Sequence, residues 1–188
     1  QVEKSIPYNV EFHNYENSNK KHFLDSISKT LINYKNDSLK SKLLFKIAEE
    51  YSYLGNNELS LNISKLALIE AKSRHDSISI GRALYYAGDC FLDYQKDSAY
   101  YYYKESEKIF RKLNNKDKLA LVLYNKAYLL FYEGNYVESE IEVIKALNCL
   151  KSTEKFITKY RCYSLQGSNH LELGEYNKAL EYFNLSAS

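Results

Sequence analysis

Leu173-Gly174-Glu175-Tyr176-Asn177-Lys178-Ala179-Leu180-Glu181-Tyr182-Phe183 closes one helical pattern and opens another. Gly174 offers the left-handed residue at which a helix ends, and Ala179 with Phe183, four positions apart, marks one face of the helix that follows. Helices joined by so short a turn pack antiparallel. The same grammar recurs upstream at a fixed interval. Small residues inside apolar patterns fall at Ala48, Gly88, Ala127 and Gly167. A second column runs through Gly55, Gln95, Gly134 and Gly174, and a third through Ala67, Ser106, Ala146 and Ser186. All three columns step by about 40 residues, so the chain is a repeat array.

Each unit reads as two helices. Leu43, Leu44, Ile47, Tyr51 and Leu54 recur at helical spacing, stop at Gly55-Asn56-Asn57, and resume as Leu59, Ile63, Leu66 and Ile69. Caps are expected at Gly55-Asn56, Lys96-Asp97-Ser98 and Gly134-Asn135. Polar turns separate the units at Lys35–Ser38, Arg74–Ser77, Asn114–Asp117 and Lys151–Glu154. No strand signal interrupts them.

These residues resemble the tetratricopeptide repeat (TPR) family, in which W-x2-L-G-x2-Y, A-x3-F and P mark a helix–turn–helix unit. The fourth unit carries Gln166-Gly167-x2-His170, Leu173-Gly174-Glu175-Tyr176 and Ala179-x3-Phe183. The second carries Leu84-x2-Ala87-Gly88-x2-Phe91 and Ala99-x3-Tyr103, with a one-residue deletion in its turn. The first and third match more loosely, through Ala48-x2-Tyr51 and Ala127-x2-Leu130. The closing Pro is missing throughout, and the period exceeds the family's 34, which implies longer helices. The resemblance implies an all-α, right-handed α-solenoid of about four TPR-like helix-turn-helix repeats with one extra N-terminal helix. The repeats are expected at about 38–75, 76–115, 116–152 and 153–188. A preceding helix over 20–36 (Phe23, Leu24, Ile27, Leu31, Ile32) and an extended or disordered lead over 1–19 complete the chain.

Composition narrows the function classes. The 188 residues are 45% hydrophobic and 27% charged, a globular balance. The longest apolar runs, Leu119–Tyr124 and Ala127–Tyr132, are far too short to span a bilayer. A net charge of +2, with no basic block beyond Lys20-Lys21, argues against nucleic acid as a partner. The start at Gln1-Val2-Glu3, without Met, leads us to expect that a signal segment or flanking sequence preceded it. Three Cys with no CxxC make neither a disulfide framework nor a zinc site. A Cys149–Cys162 bridge is conceivable across the turn, but their register favours buried packing thiols.

No convergent catalytic set is visible, so no enzyme activity, metal or cofactor is expected. His13, His22, His75 and His170 share no metal-ligand spacing, and His170 takes the family's aromatic position as a packing residue. Tyr100–Tyr103 are consecutive and cannot face one way on a helix; Tyr103 fills the repeat's aromatic slot.

The resemblance therefore points to recognition of a protein or peptide on the face of each unit's first helix. The positions that form a two-carboxylate clamp in some family members hold Phe45, Glu49, Tyr86, Leu121 and Asn125 here, of which only Asn125 is polar in the required sense, and this argues against a clamp. An aromatic column takes their place. Phe45, Tyr85, Asp89, Tyr124, Tyr128, Phe131 and Tyr132 are the candidate groove residues for an apolar or amphipathic segment. The competing reading is that these rings fill the space between repeats.

The Lys-, Asn- and Tyr-rich composition and the long units also resemble the sensory TPR regions of Bacteroidetes regulators. That likeness implies a periplasmic input module of a signalling or transcriptional regulator. The alternatives are a free-standing scaffold or a cytoplasmic peptide-pheromone receptor. Apolar Leu180, Phe183 and Leu185 on the last helix lead us to expect that this edge is covered by further chain or by a second copy.

Overall fold

The computed structural model describes residues 17–93, 95–151 and 156–187, with the side chains of Asn17, Ser18 and Ile32 left aside. Most of the expected lead, including His13, lies outside the described residues, as do Ser152, Thr153 and Glu154 of the last inter-repeat turn. Residues 17–19 already belong to a helix. In chain order the helices are α1 (Asn17–Thr30), α2 (Ser38–Tyr53), α3 (Asn57–Ser73), α4 (Ser77–Asp89), α5 (Lys96–Lys112), α6 (Lys116–Tyr132), α7 (Tyr136–Cys149), α8 (Phe156–Glu172) and α9 (Tyr176–Ala187). A single 3-10 turn, Leu31–Asn33, follows α1, and no strand occurs among the described residues.

Five helix ends share one hydrogen-bond pattern. After α2, Gly55 N donates to Ser52 O at 2.9 Å and Asn56 N to Tyr51 O at 2.8 Å. The same pair of bonds closes α3, α5, α6 and α8. Gly55, Gly134 and Gly174 take the left-handed residue at φ 72°, 78° and 74°. His75 (φ 56°) and Asn114 (φ 49°) take it in the inter-repeat turns, where the sequence shows no glycine. Asp37, Asn56, Asp76 and Asn115 then cap the next helix by accepting backbone N–H bonds.

The second unit departs from this scheme. Gln95 stands in the glycine column, and α4 stops at Asp89, one turn earlier in its repeat than α2, α6 and α8. Short bonds from Phe91 N to Gly88 O and from Leu92 N to Asp89 O lead the chain out of the helix. Asp97, read as part of a cap, instead lies inside the first turn of α5, where its carboxylate complements the helix dipole. Asn135 occupies the cap of α7 without a side-chain bond.

The chain divides into two compact units, residues 1–95 and 96–188, with the division between α4 and α5. In the first, Leu24, Leu31, Leu44, Phe45, Ile47 and Tyr51 form a closed core around Ala48, Ala67 and Ala83. Tyr51 Oη donates to Asp25 at 2.7 Å, and Lys20 pairs with Glu50 at 2.7 Å, so α1 is fastened to α2 by two polar contacts. In the second, Tyr103, Phe110, Val122, Leu123, Val143, Leu150 and Cys162 are buried around Ala127 and Ala146. Gly167 is the tightest place in this unit. A Cβ there would lie 2.6 Å from the Phe183 ring.

Lys126 joins three helices of the second unit. Its side chain, 7% exposed, contacts Glu107 of α5 at 2.7 Å and Glu142 of α7 at 3.3 Å. Burial alone would raise the Glu107 pKa, but hydrogen bonds from Lys126 and Arg111 outweigh it and hold the carboxyl below its ordinary 4.5. Burial disfavours charge on Lys126 as well, and the Glu107 bond again wins, leaving its pKa above 10.5.

Two stability measurements test these contacts. The Glu107 contribution is present above pH 4.5 and lost as pH falls through its lowered pKa; the Lys126 contribution is present below pH 10.5 and lost as pH rises through its raised one. Lys126→Met should cost about 2–4 kcal/mol in urea unfolding at pH 7, and adding Glu107→Gln and Glu142→Gln should restore most of it. Gly167→Ala should destabilise by about 1 kcal/mol net, because crowding of Phe183 exceeds the gain in helix propensity. In a Phe183→Leu background the same change should become stabilising.

Candidate functional site

The first helix of each repeat places the candidate residues, and they fall in two sets, one per unit. On α6, Tyr124, Tyr128 and Tyr132 stand four residues apart and so share one face. Their ring centroids are 6.2 Å and 4.6 Å apart in succession, and Tyr128 and Tyr132 are joined by a 3.0 Å bond between hydroxyls. Phe131 meets Tyr132 edge-on at 5.4 Å and lies 5.5 Å from Tyr136 of α7. Exposure rises along the ladder: Tyr124, Tyr128 and Phe131 are half-buried, and Tyr132 is 58% exposed. Burial pushes the Tyr124 phenol above its ordinary range, opposed by the charge of Arg161 on α8. A surface of partly covered rings with reachable hydroxyls can bury apolar side chains and orient them by hydrogen bonds.

In the first unit the candidates are arranged differently. Phe45 is 1% exposed and belongs to the core. Its ring stacks on Tyr86 at 5.4 Å and lies under the Arg82 guanidinium at 4.3 Å, so it has no face left for a partner. The groove role expected of Phe45 is thus corrected to a packing role. The reason is that α4 lies against α2 and brings Tyr86 and Arg82 onto it. Tyr85 meets Tyr86 edge-on at 5.4 Å and is half-buried, as is Asp89 at the end of α4. Burial raises the Tyr86 pKa, with Glu49 adding to the shift and Arg82 opposing it.

Sequence reading missed Arg82, Tyr160 and Arg161. Tyr160, 54% exposed, and Arg161 extend the α6 face onto α8, which packs beside α6. The signal was available: Arg82 and Arg161 hold the same position of their repeats, two residues before the start of the eight-residue motif, as Lys42 does in the first. An aromatic search passes over it.

His170 sits in a buried polar cluster and stacks on Tyr182 at 5.2 Å. Its Nδ1 lies 2.6 Å from Glu175, while Glu140 accepts bonds from Gln166 at 2.5 Å and Asn169 at 3.3 Å. These groups tie α7, α8 and α9 together. Among the described residues no group of three or more His, Cys, Asp or Glu could hold a metal, and no helix is long and apolar enough to cross a membrane.

No family model matches the chain, and no curated protein matches it. Solved structures do. Aspartyl phosphate phosphatase F from Bacillus subtilis is 20% identical, with 89% of this chain and 44% of that one covered at a TM-score of 0.80. A Rap protein complexed with Competence and Sporulation Factor is 18% identical, covering 90% of this chain and 48% of that one, TM-score 0.78. BtubC from P. vanneervenii is 14% identical, covering 91% of this chain and 72% of that one, TM-score 0.72. The chain thus spans less than half the length of the first two. The likeness shows the fold, an all-α solenoid of TPR-like helical repeats.

All three cysteines are free, so Cys149 and Cys162 are not bridged. Cys90 is buried with its Sγ 3.1 Å from Ser60 Oγ, and burial pushes the Cys162 thiol up to about 12. Cys149 is partly exposed. In a thiol titration of the native protein at pH 8, Cys149 should be the only cysteine to react promptly, with Cys90 and Cys162 appearing on unfolding. Prompt reaction of Cys162 would contradict the packing of α8.

Proposed function

We propose that this chain is a non-catalytic peptide- or protein-binding module. Its docking site in the second unit is the ladder Tyr124–Tyr128–Tyr132 on α6, flanked by Phe131; Tyr85 and Asp89 are a separate candidate face of the first unit. The observation that carries the reading is the ladder itself. Three rings share one face of a helix that lies inside the array, yet Tyr124 and Tyr128 are only half-buried and Tyr132 is exposed. Apolar rings left open on a helix otherwise packed on the core suit a segment that buries them.

Among the readings of that partner, the peptide receptor has the most support, because one of the similar structures is a Rap protein complexed with Competence and Sporulation Factor. The readings as the input region of a regulator and as a free-standing scaffold draw on composition and repeat period alone. Placement in the periplasm belongs to the regulator reading. Self-association through α9 is also part of the proposal, since Leu180 is 62% and Leu185 43% exposed while Phe183 is half-covered over Gly167.

Selection of binders from a random peptide display library on the whole chain tests the docking site. Tyr128→Ala and Tyr124→Ala should weaken the selected peptides by about 1–3 kcal/mol in calorimetry, with the thermal transition little changed. Tyr101→Ala, on the exposed face of α5, should leave affinity alone. Binders indifferent to both ladder substitutions would sink the assignment.

A further inference from the structure

The last turns of the repeats' first helices lack the basic residues that the helix dipole favours, although α6 does carry Asp117 in its first turn. The second helices α3 and α5 follow the dipole, with Glu58 and Asp97 in their first turns and Lys72, Arg111 and Lys112 in their last. No basic residue lies in the last turn of α2, α4 or α6, and α8 has only His170. Carboxylates stand there instead: Asp89 ends α4, Glu133 caps α6 and Glu172 ends α8. Each sits at the partially negative end of its helix, a placement that weakens the helix and so calls for another reason.

In the second unit two of these carboxylates edge the aromatic ladder. Tyr136 Oη donates to Glu172 at 3.3 Å, and Tyr136 leads through Phe131 to Tyr132. Both Glu133 and Glu172 are exposed, and neither has an ion-pair partner among the described residues. Lys96 does come close, but its Nζ is bonded to the carbonyl oxygen of Tyr132 at 3.0 Å. The opposite end of the ladder carries Arg161 beside Tyr124. From Tyr124 to Tyr132 is about 12 Å along the helix. The face therefore has a basic end, an aromatic middle and a ring-lined end where the two carboxylates outnumber the one ammonium of Lys96.

We propose that the corner made by Phe131, Tyr132, Tyr136, Glu133 and Glu172 receives a Lys or Arg side chain of the docked segment, so that the partner is a basic amphipathic peptide and lies in one direction on α6. Ring faces attract a cation through their quadrupoles, and the two exposed carboxylates, which hold only neutral donors in Tyr136 and Asn135, add direct charge complementarity. Arg161 repels a second cation at the far end and so sets the direction. The inference rests on the docking reading above and adds the partner's charge and polarity.

The peptides selected on the whole chain also test this. Those that depend on Tyr128 should be enriched in Lys or Arg, and their affinity should fall about 5–10-fold with Glu172→Gln and further with Glu172→Lys. Replacing the peptide's basic residue by Gln should cost clearly less on the Glu172→Gln variant than on the native chain, the remainder coming from the rings and Glu133. Glu172 is exposed, so an unchanged thermal transition is the control for folding. Peptides that need Tyr128 but show no basic enrichment, or ignore Glu172→Lys, would overturn this inference and leave the docking site standing. A selection that yields no Tyr128-dependent peptide would overturn both.

Discussion

Close approach of helices at the small-residue column governs this structure. Ala48, Gly88, Ala127 and Gly167 are each buried, and at Gly167 the Phe183 ring occupies the space that a Cβ would need. Where backbones come this near, the larger side chains on either side must interdigitate, so the positions of Tyr51, Tyr103 and Phe110 follow from where the small residues fall. The repeat is then a packing rule. Its period sets where the backbones come close.

Polar groups inside the array serve that same geometry. Lys126 reaches glutamates on the helices before and after its own, and the cluster of Glu140, Gln166, Asn169 and His170 does the same for α7, α8 and α9. Such contacts are costly to bury where an atom lacks a partner, as Gln166 Oε1 and Asn169 Oδ1 do among the described residues, and they penalise any slip of one helix against the next. On the α6 ladder the Tyr128 hydroxyl donates to that of Tyr132, so those polar tips are partnered within the row of rings.

Phe45 in the first unit and Tyr124 in the second show why like residues in like repeat positions need not do like work. Phe45 and Tyr124 occupy the same place in their repeats, and each precedes a neighbouring first helix. Behind Phe45 stand Arg82 and Tyr86, which cover its ring; behind Tyr124 stand Tyr160 and Arg161, which leave part of it open. Ring exposure is thus decided by the residues one repeat further on.

Much of the fold was legible in the sequence, because helix ends and helix faces are local matters. Three spaced glycines marked three left-handed turns, and apolar residues at three and four positions marked the buried faces. His75 and Asn114 were not legible as left-handed residues, since the choice there is made by the bonds to Lys72 and Arg111 that each turn must complete. Nor was the early end of α4 at Asp89. The sequence determined which residue types stand on the first helices: aromatic rings in the middle, basic residues before them and carboxylates after. Only the tertiary structure decided which rings are covered and which are open. Burial depends on what a distant stretch of chain places opposite, and no spacing along one helix contains that information.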